Sequence, residues 1–84
     1  MNNTVMRQVV VTETYAALTS ESLVCSVTIS CLPTNAAVVY FRGDDGEDVQ
    51  WLPGQWSDFR SVNLANIYIK GTAGDVVTVI GGTW

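Results

Sequence analysis

The run Gly43-Asp44-Asp45-Gly46-Glu47-Asp48 places four carboxylates within five residues, the densest charge in the chain. Oxygen-rich loops of this kind can bind calcium. The spacing lacks the alternating ligands and distant bidentate glutamate of an EF-hand loop, and a hairpin tip is polar in any case, so a solvated tip is expected. Glycoside hydrolysis needs two carboxylates facing each other across a cleft. Only Glu13, Glu21, Asp58 or this tip could supply them, and nothing in their spacing does so. The chain has no histidine to act as base for a serine or cysteine nucleophile. Gly71-Thr72-Ala73-Gly74 is not a phosphate cradle, because no Gly-Lys-Ser/Thr or helix start follows it. The expectation is a protein that is not an enzyme and that carries no cofactor and no metal.

The two cysteines lie in CSVTISC, Cys25 and Cys31. In one continuous strand rising ~3.3 Å per residue their Cα atoms stand roughly 20 Å apart. A disulfide needs about 4.4–6.8 Å, and no turn is signalled between them. Their even spacing sets both on one face with Val27 and Ile29, against Ser26, Thr28 and Ser30 on the other. They read as reduced, buried, small apolar residues, which fits cytoplasmic assembly. A zinc-type site would need further Cys or His ligands.

Three tryptophans and three tyrosines remain. Trp51 alternates within a strand and is expected in the core. Trp56 and Trp84 fall outside the expected strands and are interface candidates, since large aromatics bury much area at small entropic cost. Phe59, Arg60 and Arg7 complete the set of candidate contact residues. Arg60 could pair with Asp58 or across a subunit boundary.

Those residues must be positioned by a single small domain of 84 residues, which buries only roughly 60–65% of its unfolded surface. The chain is 48% apolar but only 14% charged, against about 25% charged in an average globular protein. So thinly charged a surface points to association. The net charge is −4, with four scattered basic residues, Arg7, Arg42, Arg60 and Lys70. That excludes a phosphate-binding patch and weakens attraction to anionic lipid, so neither nucleic acid nor membrane is an expected partner. The polar start, MNNTVMRQ, has no apolar stretch of the signal-peptide kind, and use without Sec export is expected.

Val, Thr, Ile and Tyr dominate, and helix signals are nearly absent. Strands are expected at Gln8–Leu18, Leu23–Leu32, Ala36–Arg42, Asp48–Leu52, Asn66–Lys70 and Asp75–Ile80. Asp45-Gly46 reads as a type I′ hairpin turn. LPGQWSDF (52–59) reads as a loop, and a glycine turn at 71–74 pairs the last two strands. Residues 1–7 form an N-terminal arm and residues 81–84 a C-terminal tail. A helical turn at Glu13–Leu18 or Asn63–Asn66 is the alternative local reading. The fold class is all-β, a small antiparallel β-sandwich or jelly-roll-like barrel of about six strands. Val9–Val11, Ala36–Phe41 and Val76–Ile80 do not alternate as a strand with one wet face should. Subunit packing over a second apolar face is the reading preferred; tolerated outer valines are the other.

The stretch VVYFRGDDGEDVQWLPGQWSDFRSVNLANIYIKGTAGDVVTVIGG resembles the C-terminal half of small structural proteins of tailed-bacteriophage virions. The hairpin tip, LPGQWSDF, VNLANIYIKG and GTAGDVVTVIGG carry the likeness, which leaves the first half of the chain unplaced. The resemblance implies an accessory virion protein, such as a capsid decoration or cement protein. It would sit on the head surface as a homo-oligomer, by analogy a trimer, bound to the major capsid protein or another virion protein and assembled in the host cytoplasm. A head-fibre base, a tail or neck component, and a carbohydrate-binding adhesion module are the alternatives.

Overall fold

The structure is a computed structural model describing residues 3–83. It contains eight strands: β1 (Thr4–Val10), β2 (Ala16–Ala17), β3 (Val24–Cys31), β4 (Val39–Arg42), β5 (Val49–Trp51), β6 (Trp56–Asn63), β7 (Tyr68–Lys70) and β8 (Val76–Gly82). A single 3-10 turn, Leu64–Asn66, links β6 to β7, and the Asn63 side chain caps it by accepting from the Ala65 N–H. This is the helical turn allowed for at Asn63–Asn66.

All pairings are antiparallel. One sheet, sheet A, has the order β1-β8-β3-β6; the other, sheet B, has the order β2-β7-β4-β5. Strand 1 pairs with 8, 2 with 7, 3 with 6 and 4 with 5. A long paired ribbon rolled on itself gives this arrangement, the jelly-roll form of the all-β sandwich.

Between the sheets lie Val5, Val27, Ile29, Cys31, Val77 and Val79 from sheet A and Val39, Phe41, Trp51 and Ile69 from sheet B, all buried. Val11, Leu18 and Leu64 close the ends of the layer. The period-two reading of CSVTISC holds: Cys25, Val27, Ile29 and Cys31 alternate inward against Ser26, Thr28 and Ser30. Both thiols are free.

Several sequence expectations are corrected. Thr4–Arg7 is not an arm but the first half of β1, because Val5 is a buried core residue. Gly81 and Gly82 are not a tail but the end of β8, held between β1 and β3. The Gln8–Leu18 run divides at Val11, and the chain crosses to the other sheet. The last four residues of the expected loop 52–59, Trp56 to Phe59, begin the eight-residue β6 instead. Asp45-Gly46 does turn the chain, but only Gly46 has positive φ, so it is not a type I′ turn. The last two strands do not pair with each other. The turn at 71–74 carries the chain from β7 in one sheet to β8 in the other.

The non-alternating valine runs have a topological cause in two of three cases. Val10 ends β1 and Val11 starts the crossing, while Ala36–Val38 precede β4. Within strands the alternation is kept. It leaves Met6, Val10 and Ile80 exposed on the outer face of sheet A, more than half of each in solvent.

Candidate functional site

The four candidate contact residues that are described do not converge. Trp56 and Asp58 project from the outer face of sheet A, where Trp56 stands opposite Ser30 in the ladder. Phe59, an odd number of residues further on, turns inward and is half-buried against the core. Arg60 is exposed and borders a shallow trough of about 280 Å³ with Ser26, Thr28 and Asp58. It forms no ion pair among the described residues. Arg7 lies at the opposite edge of the sheet, its guanidinium 3.1 Å from Glu21. Trp84 lies outside the described residues.

Trp56 belongs to a stiff corner. The Gly54 N–H donates to the Cys31 carbonyl at 3.1 Å, and the Cys31 N–H donates to the Gln55 carbonyl at 2.9 Å. The Gln55 N–H closes the turn on the Leu52 carbonyl, while its side-chain Oε1 accepts from the Leu52 N–H at 3.0 Å. Gly54 supplies the positive φ, 85°, that the turn requires. Fixed in this way, the corner holds Leu52 58% and Trp56 59% exposed.

Two features were missed by sequence reasoning. The first is an apolar cleft of about 300 Å³ at the open side of the sandwich, walled by Phe41, Val49, Trp51, Phe59 and Ile67. Its aromatics form a ladder. Phe41 stacks on Trp51 with centroids 4.0 Å apart, and Trp51 lies near parallel to Phe59 at 6.3 Å. The three come from β4, β5 and β6, so only the strand order brings them together.

The second is a cluster on the outer face of sheet B. The Arg42 guanidinium sits 4.0 Å from the Tyr15 ring centroid and the Lys70 Nζ 5.0 Å from it. Asp48 Oδ1 accepts from the Tyr15 hydroxyl and, at 2.9 Å, from Arg42. One of the four tip carboxylates is therefore tied to the sheet; Asp44, Asp45 and Glu47 are exposed. The Tyr15 hydroxyl and Arg42 hold the Asp48 carboxyl below its usual range. A depressed carboxylate stabilises the fold fully above its unfolded pKa of about 4 and loses that contribution as pH falls through the lower folded value. The Asp48 pairing is expected to persist down to pH 4 and to fail only below it. Carboxylate chemical shifts followed by NMR would check this, and a midpoint for Asp48 at or above 4 would contradict it.

Burial disfavours the thiolate at both cysteines. Burial pushes the Cys31 thiol up to about 11, with the nearby charge of Asp75 adding to the shift. Cys25 is also raised by burial, although Arg7 opposes the shift. At about pH 8 both should resist iodoacetamide in the native protein and both should react once the chain is unfolded in guanidinium. Mass spectrometry reads this directly, and native alkylation within minutes would contradict the burial.

Among the described residues, no group of three or more His, Cys, Asp or Glu is placed to hold a metal ion. Compared with protein-family models, curated proteins and solved structures, the chain matches none of them.

Proposed function

We propose that the chain is a non-enzymatic structural protein of a bacteriophage virion. In this reading it is a homo-oligomeric decoration or cement protein that binds the head surface through the Leu52–Trp56 corner. The observation that carries it is the corner itself: an indole and a leucine held exposed by a hydrogen-bonded turn. Binding hot spots are enriched in tryptophan, and a rigid anchor loses little entropy on docking. The low charge and the outer-face apolar side chains Met6, Val10 and Ile80 support the oligomer. The jelly roll supports the setting by analogy alone, because it serves viral shells and lectins alike.

The mechanism is mechanical. Burying ~800 Å² of apolar surface across capsomer boundaries contributes a gross ~20 kcal/mol before association costs, which expansion of the shell would have to overcome. Purified protein added to heads lacking it should bind in hundreds of copies. Trp56→Ala should weaken binding by ~30-fold or more, the ~2 kcal/mol of a hot spot, without changing the circular dichroism. A handful of copies per particle would favour a head-fibre base, tail or neck component. The exposed indole equally suits sugar stacking, so glycan-array binding that disappears in Trp56→Ala, with no binding to heads, would favour the adhesion module.

A further inference from the structure

Main-chain hydrogen bonding along β1 alternates. Beyond its two ends, the Asn3 carbonyl accepts from the Thr83 N–H at 3.0 Å and the Val11 N–H donates to the Asp75 carbonyl at 2.7 Å. In an antiparallel ladder every second pair is a bonded one. With the β1–β8 register, Val5, Arg7 and Val9 therefore turn their peptide groups toward β8. Thr4, Met6, Gln8 and Val10 turn theirs away, toward the edge of the sheet that no other described strand covers.

The other edges are guarded. β2 has two residues and β5 three. β6 carries a bulge, with Arg60 and Ser61 opposing the single residue Ser26, and Ser61 is at φ 50°. It also presents Asp58 and Arg60 outward. β1 has seven residues with no proline, glycine or bulge, and its one charge, Arg7, is drawn onto Glu21. Soluble proteins blunt an edge of this kind unless another strand occupies it.

We propose that two copies of this chain pair β1 to β1, antiparallel across a two-fold axis, and so join their A sheets into one eight-stranded sheet. The inference takes from the reading above only that copies of the chain associate. The occupant follows from the outward groups, since Met6, Gln8 and Val10 complement the same residues of an identical strand. With Gln8 opposite the partner's Gln8, Met6 stands against the partner's Val10 and Arg7 against the partner's Val9. Three bonded pairs then exchange about six main-chain hydrogen bonds. The outer face gains two apolar rows, each running Ile80, Met6, the partner's Val10 and the partner's Val76. Centring the axis on Arg7 instead would oppose two guanidinium groups, which disfavours that register. An isologous contact of this kind builds dimers and even multiples. It does not build the trimer that the virion resemblance implies.

Light scattering on the eluting full-length protein at micromolar concentration tests the proposal, together with amide hydrogen exchange. A dimer or higher even multiple is expected, with the amides of Met6, Gln8 and Val10 protected at least tenfold over a monomeric variant. Gln8→Pro removes an N–H that β8 does not use, so it should give a folded monomer. Val10→Lys puts a charge against the partner's Met6 and gives the same outcome if the proline variant fails to fold. A monomeric wild type, an odd-numbered oligomer, dimers that persist in both variants, or unprotected amides at Met6 and Gln8 would each overturn the pairing. A monomer that binds heads would sink this edge and leave the virion reading standing; a dimer that ignores heads would do the reverse.

Discussion

Gly81→Ala should lower the stability of the fold by more than ~3 kcal/mol. Gly81 sits in β8 between Val5 of β1 and Val27 of β3. A Cβ there would lie 2.1 Å from the Ser26 carbonyl oxygen, 2.6 Å from the Val27 Cα and 2.9 Å from its Cγ1. The first two obstacles are backbone, so no change of rotamer relieves them; β8 and β3 would have to part. Ser26 is also the residue opposite the β6 bulge, so the strain would reach a second ladder. Overpacking with movable side chains costs ~1–3 kcal/mol. Against fixed backbone the loss should exceed ~3 kcal/mol, a large part of the ~5–15 kcal/mol that holds a domain together. Gly43→Ala is the control. Nothing lies within 4 Å of its Cβ position and its φ is ordinary, so stability should stay within ~0.5 kcal/mol. Urea denaturation of the two variants decides the matter, and a Gly81→Ala protein less than ~1 kcal/mol below wild type would refute the geometry.

Asp75→Ala is expected to cost ~2–4 kcal/mol, because it withdraws a charged acceptor from two amides at once. The carboxylate is buried, 8% exposed. Oδ1 accepts from the Ala36 N–H at 3.0 Å and Oδ2 from the Ala37 N–H at 3.2 Å. Asn35 answers from the other side: its amide donates to the Val76 carbonyl at 3.0 Å and accepts from the Val76 N–H at 2.9 Å. The two residues lock the β3–β4 crossing onto the β7–β8 crossing, two of the six connections at which the chain changes sheets. Asp75→Asn separates charge and hydrogen bonding from shape. One of its two terminal atoms becomes a donor facing a donor, so the isosteric variant should lose nearly as much as alanine. Denaturant midpoints measure both. Full stability in Asp75→Asn would mean that the side chain acts by packing alone.

The legible parts of the molecule were those governed by local rules. CSVTISC alternates because Cys25, Val27, Ile29 and Cys31 face one interior, and that period survives any topology. Trp51 was readable as core for the same reason. Of the contact candidates, Trp56 reads as exposed because it falls in an expected loop; it is exposed, but as the first residue of β6. Phe59, read as a loop contact residue, instead turns toward the core, because its facing depends on β6 starting at Trp56 rather than after the loop. The aromatic cleft and the Tyr15–Arg42–Lys70–Asp48 cluster left no local trace, since their members come from strands or turns distant in sequence.

The sequence by itself determined an all-β domain with buried reduced cysteines, a hairpin at Asp45-Gly46 and more apolar surface than charge. β-branching, period two and turn chemistry act over a few residues and need no partner strand. Only the tertiary structure decided that eight strands roll so that the first pairs with the last. That pairing draws Thr4–Arg7 and Gly81–Gly82 out of their expected ends, breaks the anticipated final hairpin, and leaves one edge of β1 without a strand partner among the described residues. Strand order is fixed by which faces can be buried together across the whole chain, a competition that no single segment records.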